Sequence, residues 1–138
     1  MAVSENIKNQ FIEFIKLQAF DDQFIDKAEE KRIVEVGVKN GMSVDECLLL
    51  ILEVAQQKGL ILEREVEERT KEFLHKAATN DGHVSKKEFE DAFELFKKGI
   101  KGKIREPEIK QRLKQIMLDK GWKAKEGLLS GGSWFSNI

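Results

Sequence analysis

Proline, tyrosine and cysteine are almost missing: the 138 residues hold one proline, no tyrosine and one cysteine. A lone proline leaves long helices free to form, because proline removes a backbone donor and clashes with the preceding turn. A lone cysteine, Cys47, excludes an internal disulfide. It lies in the apolar run Cys47-Leu48-Leu49-Leu50-Ile51-Leu52, where a buried small hydrophobe is the plain reading. A catalytic thiol would need the fold to bring His75 or His83 beside it, since no histidine is near in sequence. No apolar run is long enough to span a bilayer. The opening Met-Ala-Val-Ser-Glu-Asn lacks a basic stretch followed by an apolar one, so a cytoplasmic protein is expected.

Other absences bear on catalysis. Two histidines and one cysteine give no transition-metal cluster of standard spacing. Lys98-Gly99-Ile100-Lys101-Gly102-Lys103 lacks the order of a phosphate-binding loop and follows no strand. No serine sits in a nucleophile-elbow context. An enzyme is not expected, and no catalytic residue is assigned.

What is present is helix signal. Hydrophobic residues make up 41% and charged residues 36%, the balance of a globular, well-solvated chain. The length favours one domain, residues 1–126, with a loose tail over 127–138. Ser4 can cap a first helix with Ile7, Phe11, Phe14 and Ile15 on one face. Asp26 with Glu29, Ser43 with Glu46 and Ser85 with Glu88 repeat a capping-box signal ahead of three more helices. Between them, Asn40-Gly41 and Gly59 mark stops. A helix from about residue 60 carries Val66, Thr70, Phe73, Leu74 and Ala77 on one side. Its charged residues Glu63, Arg64, Glu67, Glu68 and Lys71 suit an exposed face. Gly99 and Gly102 break the next helix, and Pro107 opens the last, which ends at Lys120-Gly121. The expected fold is all-α, a bundle of about six helices with no convincing strand.

Two turns look alike. Ala19-Phe20-Asp21-Asp22-Gln23-Phe24-Ile25-Asp26-Lys27-Ala28-Glu29 aligns without a gap on Ala78-Thr79-Asn80-Asp81-Gly82-His83-Val84-Ser85-Lys86-Lys87-Glu88. Each follows one helix and starts another, which points to two pseudo-repeated helical halves. Capping and turn chemistry alone explain much of the pattern. They do not require Asp22 and Asp81 seven residues ahead of Glu29 and Glu88. Side by side, two such loops would gather Asp22, Glu29, Asp81 and Glu88. Clustered carboxylates repel unless a cation or proton sits between them, and Ca²⁺ or Mg²⁺ takes oxygen ligands of this kind. These four are the candidate metal ligands, and a divalent cation is the only cofactor expected.

An acidic turn, a β-branched residue, a helix cap and a glutamate, twice in one helical domain, resembles the TerB-like (tellurite-resistance) family over roughly residues 10–98. The resemblance implies an all-helical bundle with two pseudo-symmetric halves, an acidic metal-binding surface and a stress-linked, regulatory or scaffolding role. The family pattern has Asp-Gly in both turns. Asp81-Gly82 matches it; Asp22-Gln23 departs, and glutamine accepts a positive φ poorly. Residues 81–89 are also similar to the closing half of an EF-hand loop. A full loop needs ligands two and four residues before Asp81, where Thr79 and Ala77 stand, and alanine offers none.

The charge is uneven. Residues 1–96 hold 13 Lys/Arg against 21 Asp/Glu, and residues 97–138 hold 11 against 4. The basic third can meet an acidic partner, with Trp122 stacking on a base if that partner is nucleic acid. The tail, with Gly127, Gly131 and Gly132 before Trp134-Phe135 and Ile138, either anchors in a partner's groove or covers the domain's own core. Trp122, Trp134 and Phe135 are therefore the candidate partner-binding residues. The alternative function is an adaptor that binds a protein or, less favoured, a nucleic acid.

Overall fold

The structure, a computed structural model, describes residues 4–125 and 133–138. Its six helices are α1 (Glu5–Gln18), α2 (Lys27–Lys39), α3 (Val44–Lys58), α4 (Glu63–Ala77), α5 (Lys86–Ile100) and α6 (Glu106–Lys120). The all-α class holds, with one correction. Among the described residues there are four two-residue strands: β1 (Phe24–Ile25), β2 (Ile61–Leu62), β3 (His83–Val84) and β4 (Lys123–Ala124). β1 pairs in parallel with β2, and β3 with β4. Segments this short leave no two-residue periodicity to read, because the pairing is created by long-range contact rather than by alternation. Among the described residues, no helix is long and apolar enough to cross a membrane.

The chain divides into two compact units, Met1–Arg64 and Glu65–Ile138, with the division falling inside α4. In the first unit α1 packs on α2 and α3, which also pack on each other. Phe11, Ile15, Ile25, Ile33, Cys47, Ile51 and Leu62 form its core. Cys47 is fully buried, as its apolar run suggests, and burial pushes its thiol pKa up. Three helices of the unit start on side-chain caps: Ser4 accepts from the Ile7 N–H, Asp26 from Glu29 and Ser43 from Glu46.

In the second unit α5 packs on α6, and Phe96, Ile100, Ile109, Leu113 and Met117 are fully buried. The Ser85–Glu88 capping box forms at the start of α5, with both of its hydrogen bonds in place. Gly99 does not break α5 as expected. It lies in the helix's last turn, where an added Cβ would stand 3.1 Å from a Val66 methyl. Its lack of a side chain serves that close approach, and the helix ends two residues later at Lys101, in the left-handed region.

The charged face expected on α4 is only partly exposed. Glu63 is 2% exposed and Glu67 8%. Glu63 belongs to the first unit, where its carboxylate accepts the Lys27 N–H at the start of α2. That bond gives one of the unpaired amides of a helix N-terminus an acceptor far away in sequence. Local charge spacing cannot reveal such a partner.

Candidate functional site

The two similar turns share one backbone. Gln23 has φ 56° and Gly82 φ 72°, so both occupy the left-handed region despite the glutamine. The Gln23 N–H donates to Ala19 O at 3.0 Å and the Gly82 N–H to Ala78 O at 2.9 Å. Asp22 Oδ1 accepts from the Phe24 N–H, and Asp81 Oδ1 from the His83 N–H. Gln23 offsets its backbone strain locally: its side-chain amide donates to the carbonyls of Ala19 and Phe20. The early aspartates thus close Asx-turns, a use that requires no ligand.

The closing glutamates have diverged. Glu88 accepts the Ser85 N–H at 2.9 Å and completes its capping box. In its unit, Asp81 lies 3.9 Å from Lys125 Nζ and 4.0 Å from His83 Nδ1. Glu29, at the matching position of the first unit, faces an aspartate cap instead of a serine. Its pKa rises from 4.5 to about 7, chiefly by burial, then by its hydrogen bond to and repulsion from Asp26, then by Asp22, with Arg32 opposing. Asp22 and Glu29 lie in one unit and Asp81 and Glu88 in the other. Among the described residues, no three His, Cys, Asp or Glu side chains are grouped to hold a metal ion.

A raised acid pKa has a defined sign. An unfolded glutamate titrates near 4.3, so folding takes up a proton at Glu29 between that value and about 7. The stability this group contributes is complete below about 4.3 and lost as pH rises through about 7. Glu29→Gln is expected to flatten the pH dependence of stability over that window. At pH 8 it should raise stability by roughly 1–2 kcal/mol, a full shift being discounted for solvent screening. Urea titrations of both proteins at pH 5 and pH 8 check this. Parallel pH profiles would refute the assignment to Glu29.

The C-terminal aromatics lie on the second unit. The Trp134 ring stands 5.3 Å from Phe89 and 5.7 Å from Phe135, and its indole N–H donates to Lys125 O at 3.4 Å. Lys114 Nζ sits 5.0 Å over the Phe135 ring. Residues 127–132 of the expected tail lie outside the described residues. Trp122 is half-buried, with its ring 5.8 Å from that of His75. A cavity of about 460 Å³ opens beside Trp134, walled by Phe89, Phe93, Lys110 and Ile138. On the first unit, Leu17 and Phe20 are 71% and 74% exposed. Phe20 borders a smaller hollow with Leu60, Lys16 and Lys58.

No protein-family model, curated protein or solved structure matches the chain.

Proposed function

We propose that this chain is a non-enzymatic interaction module whose second unit binds a protein partner through its aromatic surface. The observation that carries the reading is the concentration of Trp134, Phe135 and Phe89 beside an open cavity, with Lys110 and Lys114 above ring faces. Aromatic rings gathered beside an open hollow mark a surface where a partner's side chains can be buried, the usual arrangement at the centre of protein interfaces. Affinity capture with the wild-type chain and with a Trp134→Ala/Phe135→Ala chain tests it. Recovery of one protein should change more than threefold between the two, in either direction. Unchanged recovery would count against the reading. Binding of random nucleic acid that weakens steeply with salt would instead assign the basic third to phosphate contact.

A second reading rests on Glu29. In the TerB-like reading the protein is a regulatory or stress-response protein that takes a divalent cation at its acidic turns. Repulsion among Asp22, Asp26 and Glu29 is what a cation would relieve. In this reading Asp81 and Glu88 supply the second turn's ligands. Millimolar Ca²⁺ or Mg²⁺ should then raise the melting temperature by about 3–5 °C, because a ligand of the native state stabilises it. The rise should vanish in Glu29→Gln. A melting temperature indifferent to both ions sinks this second reading.

A further inference from the structure

Residues Ser133–Ile138 form a single helical turn: the Asn137 N–H donates to Ser133 O and the Ile138 N–H to Phe135 O, both at 3.2 Å. Positions four apart on such a turn share a side. Trp134 and Ile138 are four apart, and both line the cavity against α5. Phe135 is held separately under Lys114 of α6, whose Nζ also donates to Ile138 O at 3.4 Å. The segment therefore lies on the α5–α6 face as a bound peptide would, with an aromatic anchor, a second aromatic and an aliphatic closing residue.

The fit is incomplete. Trp134, Phe135 and Ile138 all stay half-exposed, and a cavity of about 460 Å³ opens beside Trp134 and Ile138. Lys110 Nζ stands 5.2 Å over the Phe93 ring, and Lys86, Glu90, Asp91 and Glu94 complete the cavity's lining with charge. A segment of the same pattern with bulk reaching into that space would cover wall that the chain's own residues leave open, and could pair with its charged rim. Helix-in-groove recognition works through this spacing of anchors.

We infer that the α5–α6 face is a docking groove for a partner's short helical segment with adjacent aromatics and an aliphatic residue at the fourth position after the first. Residues 133–138 occupy that groove in cis and compete with the partner. This rests on the protein-interaction reading and gives it a direction: opening the groove raises partner binding.

The probe is a labelled peptide, Ser-Trp-Phe-Ser-Asn-Ile, titrated into the full-length chain and into full-length Trp134→Ala/Phe135→Ala. The double variant is expected to bind at least tenfold more tightly than the wild type, with amide shifts at Phe89, Phe93 and Lys110. Equal binding to both chains overturns the inference, as does no binding to a double variant that melts like the wild type. A second measurement keeps the native tail and covers a variant that fails to fold. In full-length Trp122→Phe, excess Ser-Phe-Phe-Ser-Asn-Ile should displace Trp134 and shift its emission to the red. Unchanged emission at saturating peptide overturns competition. A partner captured less well by the double variant than by the wild type would retain the interaction reading and remove the cis competition.

Discussion

Gly37→Ala should destabilise the first unit by about 2–3 kcal/mol, the cost of overpacking a filled core. Helix propensity alone gives the opposite sign, because alanine inside a helix is favoured over glycine by about 1 kcal/mol. Packing decides. An ideal Cβ at Gly37 would stand 2.3 Å from Cys47 Sγ and 3.0 Å from a Phe11 ring carbon. Neither neighbour has a free end to swing into solvent: Cys47 is 0% exposed and Phe11 4%. Relief would require α2 to move away from α1 and α3, loosening two of the three helix contacts of the unit at once. Cys47→Ala in the same chain removes the nearest clashing atom and should recover part of the loss, a coupling that a double-mutant cycle measures. Urea unfolding of the four proteins gives the result. A Gly37→Ala chain as stable as the wild type would show that the helices separate at little cost.

Arg64→Ala should cost about 2–4 kcal/mol, since removing one partner leaves the other charge buried and uncompensated. Arg64 Nε lies 3.0 and 2.9 Å from the two carboxylate oxygens of Glu30, and Nη2 donates to Leu48 O at 3.4 Å. The Glu30 side chain is 9% exposed and the Arg64 side chain 31%. One guanidinium thus ties the start of α4 to α2 and α3. The partial exposure of Arg64 keeps the cost below the upper limit for a fully buried pair, because water can partly solvate the stranded carboxylate. The pair itself need not be worth that much. Glu30→Met/Arg64→Met, which removes both charges, should cost clearly less than Arg64→Ala alone. Denaturant midpoints of the single and double variants separate the two effects. A single-variant loss below about 0.5 kcal/mol, the level of a surface pair, would mean that solvent reaches Glu30.

These two sites differ in how much of them the sequence could reveal. Gly37 interrupts a strong helical pattern between Val36 and Val38, and nothing nearby in the chain says why a glycine is there. Its reason lies in Phe11 and Cys47, on two other helices. Arg64 and Glu63 sit in a run of alternating charges that suits a solvated helix face. Their actual partners, Glu30 and the Lys27 amide, are more than thirty residues away. Charge spacing within one helix sees only neighbours three and four residues off.

The acidic turns show the same division more finely. The gapless alignment of residues 19–29 on 78–88 was legible; the Asx-turns of Asp22 and Asp81 and the left-handed backbone at Gln23 were not, since glutamine by itself speaks against a positive φ. The different fates of Glu29 and Glu88 were also half-visible, as Asp26 in one cap and Ser85 in the other. How strongly Glu29 is perturbed was not, because desolvation is the first cause of its shift and burial is set by packing. For the tail, the sequence posed two destinations for Trp134 and Phe135; the placement of both rings on the second unit came from the structure.

By itself the sequence determined the helices, their caps and the repeat of the turns. These depend on side chains within a few residues of one another, where capping, period and glycine tolerance are local properties. Only the tertiary structure decided the paired two-residue strands, the burial of Glu63 and Glu30, the need for glycine at 37 and the groove behind Trp134. Each of those is a contact between distant parts of the chain, and its energy comes from which surfaces lose water together.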